Sequence, residues 1–377
     1  MRGIFCGVII VSFVVLAGGC SKPAVTARPA PVGDFAGFGG GGAMHNVAPA
    51  IDGPPMKVRW TFQAATDGFN AAPAIVGDAV YAADASGDLM ALDLVSGQRR
   101  WTFHSEGGFD ATPYVDGGVV YIGDMSTTFF AVDAGTGKQI WSVNAQSAVH
   151  AGANIDGGRI LIGTDAGLIL CLDRAGKTLW TAQADGRINA PPAIWDGKAA
   201  FTSCDAHVHV LRIEDGKEVF TTDLGNVAPG SACASDKSLF IGTDQGRVLA
   251  VSIKDGSAQW SFDKIADGAM VYASPALSGD TLVIAARDSN VYGLNAGDGT
   301  RKWSFATGAD IDASPVVSDG RVYVPSKDRR LYVLNLADGK LLWTFEVARA
   351  VAAPVAIGRG VLVMGDAGGT LYCLEGQ

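Results

Sequence analysis

From about residue 56 onward, apolar and polar positions alternate in short runs of five or six residues, broken at regular intervals by Gly, Asp and Thr. A period of two marks half-buried strands, and the 3.6-residue spacing of helices is missing, so the pattern predicts sheet throughout. One stretch shows the unit: the predicted strands are Ala111–Val115, Val119–Gly123, Phe129–Asp133 and Gln139–Val143. Each has the length of an ordinary strand and ends at turn-forming residues.

The same four-strand pattern recurs along the chain. Eight aromatic residues, Trp60, Trp101, Trp141, Trp180, Phe220, Trp260, Trp303 and Trp343, stand 41, 40, 39, 40, 40, 43 and 40 residues apart. A unit of that length cannot bury its apolar faces alone and must stack on copies of itself. Eight strand starts follow the form Ala-x-Pro, at Pro73, Pro113, Ala153 in place of Pro, Pro192, Pro229, Pro275, Pro315 and Pro354. Four-stranded antiparallel units repeated radially make an all-β fold, the β-propeller, here with eight blades. The last copy runs through Leu371–Leu374 and reaches Gln377 without an outer strand, whereas Met56–Phe62 carries Trp60 with no strands before it. That N-terminal strand is therefore predicted to close the eighth blade, which leaves only short edges.

Before each aromatic the residues also repeat, as in Ala91-Leu-Asp93-Leu-Val-Ser-Gly97-Gln-Arg-Arg-Trp101 and Ala131-Val-Asp133-Ala-Gly-Thr-Gly137-Lys-Gln-Ile-Trp141. A small residue leaves room for the indole, and Asp with Gly fixes the turn beneath it. The motif resembles the tryptophan-docking motif of the pyrroloquinoline-quinone (PQQ) repeat family, over Met56 to Gln377. Three copies depart from it: the third, Cys171 to Trp180, lacks one turn residue, the fourth has Arg212 for Asp and Phe220 for Trp, and the eighth breaks off after Cys373-Leu-Glu375. The eight aromatics are read as structural docking residues, each burying about 150–250 Å² between blades.

Ahead of the ring, residues 1–19 read as a signal peptide. Arg2 precedes an apolar stretch from Gly3 to Leu16, too short to span a bilayer, and Leu16-Ala17-Gly18-Gly19-Cys20 follows. This resembles a bacterial lipoprotein signal, which implies Cys20 as the lipidated residue, carrying an acyl chain such as palmitate; Ser21 after it implies outer-membrane sorting. Residues 20–55, rich in Pro, Ala and Gly and including Gly39-Gly-Gly-Gly42, read as a lipid-anchored flexible linker to the propeller at 56–377.

Arg2 is the one charged residue before Cys20, so the remainder holds 28 basic against 38 acidic residues, a formal charge of −10. That balance argues against nucleic acid, which requires a basic stripe. Cys171 and Cys373 share one docking-motif position and read as small core residues, while Cys204 and Cys233 lie in neighbouring blades at a distance the sequence leaves open.

Candidate chemistry concentrates at one mouth of the channel. Three places before each Pro-equivalent stand Asn70, Asp110, His150, Asn189, Tyr272 and Asp312, with Val351 in blade eight and blade five out of register near Asn226. Converging there, the six polar residues make a candidate ligand ring, set against the plainer role of capping strand starts. The loop between second and third strands carries Asp84, Asp124, Asp165, Asp205, Asp244, Asp288, Asp328 and Asp366, an acidic face built mainly of turn carboxylates. His207 and His209 point to one side of an alternating strand after Cys204, but with no third ligand identified no metal site is assigned. No nucleophile-elbow, zinc-protease or phosphate-loop motif occurs, so no catalytic residue is assigned.

Within its wider group the chain is similar to the lipoprotein family of the outer-membrane β-barrel assembly machinery. That resemblance implies a non-enzymatic envelope scaffold without a cofactor, lipid-anchored at the outer membrane facing the periplasm, whose partner is an envelope protein of barrel assembly. Two alternatives stand beside it. A quinoprotein dehydrogenase would hold PQQ and calcium near the axis, although the long insertions and adjacent cysteine pair of such enzymes are missing; a periplasmic ligand-binding propeller would use the acidic rim.

Overall fold

In the computed structural model, residues 33–64 and 68–377 are described, so the signal-peptide region 1–19 and the lipidation candidate Cys20 lie outside the described residues. Eight four-stranded antiparallel sheets form the blades of a propeller. Blade 2 comprises Tyr114–Asp116, Val119–Gly123, Thr128–Asp133 and Gln139–Asn144, in that order from inside to outside. Three of the four predicted strands agree within one residue; the inner one begins three residues late, because the chain reaches hydrogen-bonding register only after Pro113, which has no N–H to give.

The two ends of the ring meet in blade 8. Met56–Gln63 pairs antiparallel with Thr370–Gly376, from Met56 opposite Gly376 to Gln63 opposite Thr370. Trp60 thereby becomes the outer-strand tryptophan of blade 8 and donates its indole N–H to the carbonyl of Leu94 in blade 1 at 3.0 Å.

Neighbouring blades share their cores. Tyr121, Phe129 and Ala131 of blade 2 pack in one cluster with Ile160, Ile162 and Leu170 of blade 3. Each docking indole spans such a boundary, as Trp101 does by donating to the carbonyl of Ala134 at 3.0 Å. Beneath it Gly137 has φ +71°, and a Cβ there would lie 2.7 Å from the indole, so side-chain-free, left-handed backbone is required. In blade 4 the hydrogen bond lost with Phe220 is replaced nearby: Thr222 donates its hydroxyl to the carbonyl of Gly256 at 3.0 Å. Trp343 stacks on Phe345, ring centres 5.9 Å apart.

Residues 33–55 differ from the expectation of a flexible linker. They form a strap that passes under the inner strands of all eight blades. The Arg359 N–H of blade 8 donates to Gly33, Phe35 exchanges two backbone bonds with Ile75 of blade 1 at 2.7 and 2.8 Å, and Val115 of blade 2 donates to Ala36 at 2.8 Å. In blade 3 the Asn154 side chain donates to Gly42 at 2.9 Å. Blades 4, 5, 6 and 7 then donate from Ile194, Ala234, Leu277 and Val317 to Gly42, Ala43, His45 and Asn46, at 2.8 to 2.9 Å. The physical reason is that each inner strand presents a free edge to the channel, and the circling main chain accepts from a backbone N–H of seven blades and from the Asn154 side chain of blade 3. Phe35, Met44 and Asn46 are each no more than 2% exposed. The glycine run is part of this fit, since Gly41 has φ +75° and a Cβ would sit 2.9 Å from the Tyr114 hydroxyl.

Candidate functional site

The strap lies at the hairpin-turn end of the inner strands, and the strand starts lie at the other, so the channel has a floor and a mouth. Between them is a cavity of about 490 Å³ with Phe38 of the strap in its lining. One residue per blade lines it in register: Asn70, Asp110, His150, Asn189, Pro229, Tyr272, Asp312 and Ala352. The six polar positions read from the sequence therefore converge. Two neighbours differ from the expected register. Blade 8 contributes Ala352, while Val351 is fully buried behind it, because Pro354 stands one place earlier relative to the strand than the other prolines. Blade 5 contributes Pro229 itself, and Asn226 is not among the lining residues, because the strand there starts only at Cys233.

Charge is distributed unevenly around the mouth. His150 lies between two carboxylates, with Nδ1 3.3 Å from Asp110 and Nε2 3.6 Å from Asp165. The Asp110 contact, helped by Asp165, raises the imidazole above its ordinary 6.5, against burial and the nearby Arg187. Across the ring, Arg287 donates from Nε and Nη2 to the two oxygens of Asp312 at 2.6 and 3.0 Å, and Lys327 Nζ lies 2.6 Å from the same carboxylate. Burial alone would raise Asp312, but these two cations outweigh it and hold the carboxyl below its usual range. The guanidinium of Arg287 also sits 5.2 Å over the ring of Tyr272, whose phenol is pushed up by burial.

Sequence reasoning missed Arg187, Arg287, Lys327 and Phe38. The acidic column hid the two blade 6 and 7 cations, because it merges three structural positions. Asp84, Asp124 and Asp366 close their turns by accepting N–H bonds from residues two and four ahead. Asp205, Asp288 and Asp328 stand later in the loop and accept from His207, Asn290 and Arg330. In blades 3 and 5, Thr164 and Thr243 take the turn, which releases Asp165 and Asp244 to the position that Cys204, Arg287 and Lys327 hold in blades 4, 6 and 7. Among the described residues, the Oδ1 atoms of Asn189 and Asp244 are buried without a hydrogen-bond partner.

The remaining candidates have local roles. His207 and His209 do share a side, ring centres 6.0 Å apart, but both are engaged by Asp205 at 2.8 and 2.9 Å. Cys204 turns instead to Asn189. Among the described residues, no group of three or more His, Cys, Asp or Glu side chains is placed to hold a metal ion. Cys204 and Cys233 are free thiols, and burial pushes Cys171 up to about 11 and Cys373 up to about 12. PQQ fits this donor set poorly: it carries three carboxylates, whereas Asp110 and Asp165 line one side of the cavity and Arg287 and Lys327 on the other share Asp312, leaving a single positive charge in surplus there.

A family model described as outer membrane protein assembly factor BamB matches residues 46–146, 126–270 and 264–377. The chain belongs to the BamB family. A curated relative, outer membrane protein assembly factor BamB of Shewanella oneidensis, is 26% identical over 161 residues, 37% of this chain and 40% of that protein. The aligned part thus spans two fifths of the relative's length. The crystal structure of BamB from Moraxella catarrhalis superposes with a TM-score of 0.73 at 19% identity, covering 85% of this chain and 99% of that one. Quinohemoprotein alcohol dehydrogenase from Comamonas testosteroni superposes with a TM-score of 0.78 at 12% identity, covering 93% of this chain and 82% of that one. At such identities these two likenesses show the fold, and membership in the BamB family rests on the family model.

Proposed function

We propose that this chain is a non-enzymatic scaffold in the assembly of outer-membrane β-barrel proteins, held through a lipid on Cys20 at the periplasmic face of the outer membrane. The match of the BamB family model from residue 46 to the last residue carries this reading. A closed ring with a strapped floor suits presentation, because its surfaces are fixed before a partner arrives and little ordering entropy is lost on binding. The acidic turns give the mouth face a field that favours a basic partner surface. Gly33 stands thirteen positions after Cys20, a reach of at most about 45 Å, and leaves the ring on the floor side. A lipid on Cys20 would accordingly turn the floor toward the membrane and the mouth away from it.

The test is affinity capture of the tagged full-length chain from detergent-solubilised envelopes after mild crosslinking. Recovery of a barrel-assembly component supports the scaffold. Clean recovery of the bait with no such component, at expression close to the natural level, would refute it. A Cys20→Ala chain that still fractionates with outer membrane would refute the anchor separately.

A further inference from the structure

The cavity at the channel mouth is electrically divided, and its two halves face each other. In an eight-bladed ring, blades 2 and 3 stand opposite blades 6 and 7. On the first side the carboxylates of Asp110 and Asp165 flank His150, with Arg187 and the buried Oδ1 of Asn189, unpartnered among the described residues, beside them in blade 4; with the imidazole neutral, the two carboxylates against Arg187 leave one negative charge in surplus. On the second side Arg287 and Lys327 share the single carboxylate of Asp312, which leaves one positive charge in surplus. Arg287 is held in place by both oxygens of Asp312 and by the face of Tyr272. Between the two sides lies about 490 Å³ with the apolar ring of Phe38 in its lining.

We propose that this cavity binds a small zwitterion of the amino-acid or short-peptide class, its ammonium group held by Asp110, Asp165 and Asn189 Oδ1 and its carboxylate by Arg287, with Lys327 offsetting the charge of Asp312. The size lies in the range of small-ligand pockets. The charge layout supplies the selectivity. A simple anion would meet the two aspartates, and a simple cation would meet the surplus charge of blades 6 and 7, so each leaves one side of the cavity opposed or unpaired. A ligand with opposite charges at its two ends satisfies both. Asn189 Oδ1, an acceptor without a donor, gains one from the ammonium group, which removes the cost of leaving a buried polar atom unsatisfied. The strap closes the far end, so entry is through the polar mouth, and side-chain atoms of the ligand can rest on Phe38. None of this depends on the scaffold role.

The experiment is equilibrium dialysis of the full-length chain against an equimolar mixture of dipeptides with both ends free, the same dipeptides N-acetylated, and the same dipeptides as C-terminal amides, with retained species read by mass spectrometry. Free-ended dipeptides should be retained at least ten-fold over both capped sets. That preference should fall at least ten-fold in Asp165→Asn and in Arg287→Gln chains whose melting temperature and circular dichroism match the parent. Equal retention of free and capped dipeptides, retention of one capped set alone, or no retention of any at millimolar concentration would each overturn the proposal. The comparison of free with capped ligands uses the unmodified chain and so stands even if a variant fails to fold.

Discussion

Trp141 of blade 2 donates its indole N–H to the carbonyl of Arg174 in blade 3 at 2.9 Å, while its ring covers Gly176 of the same turn. Replacing it with alanine removes inter-blade packing and a hydrogen bond together. Trp141→Ala should cost about 2–4 kcal/mol in equilibrium denaturant unfolding. Asp110→Asn, at the open mouth, should cost under about 0.5 kcal/mol at pH 7. A reversed ranking would contradict the assignment of outer strand and channel mouth.

Closure through Met56–Gln63 makes a second prediction. Without that strand, Thr370–Gly376 becomes an unpaired edge at the end of an open ring. A chain starting at residue 64 should aggregate, seen as loss of the monomer peak in light scattering on size exclusion. An unchanged monomer with unchanged melting would count against the shared sheet.

The strap can be tested through one side chain. Asn154 is fully buried and donates to the carbonyls of Gly42 and Pro192, both at 2.9 Å, while accepting from the Gly42 N–H at 3.1 Å. Asn154→Ala strands the Gly42 N–H and the Pro192 carbonyl, while the Gly42 carbonyl keeps its bond from Ile194, and should lower stability by about 2–4 kcal/mol. Hydrogen exchange should accelerate at Gly42 and Ile194 more than at the outer strands. Uniform exchange would mean the strap contributes nothing local.

His150 supplies a pH dependence. Its folded-state value is raised above 6.5 by Asp110, so the stabilisation it brings is fully present below the unfolded value and is lost as pH rises through the folded one. His150→Asn should therefore melt below the parent at pH 5.5, and the gap should close by pH 9. A gap that widens toward pH 9 would reverse the sign and contradict the contact.

What was legible in the chain followed from repetition. The spacing of Trp60 to Trp343 gave blade number, strand order and the shared eighth blade, since each copy obeys the same packing need. The strap was hidden for a physical reason. Its residues meet eight different blades mostly through main-chain bonds, so Gly33 to Asn46 show neither two-residue nor helical periodicity, and their composition mimics a tether. The mouth was half legible: polar strand starts were visible at Asn70 through Asp312, but Arg287 and Lys327 lay one place before the aspartates that drew attention. Only the exchange of roles between Thr164 and Asp165, or Thr243 and Asp244, shows that adjacent loop positions serve a turn and a channel.

The circling of Gly33 to Asn46 under the ring also sets an order of events. These residues leave the ribosome well before their partners Val317 and Arg359. Contacts separated by some three hundred positions carry the largest loop-closure entropy and slow acquisition of the native state. Blades can nucleate one after another by local pairing, but this early segment must wait for the whole circle before it settles. Synthesis and maturation thus run in opposite directions along this polypeptide.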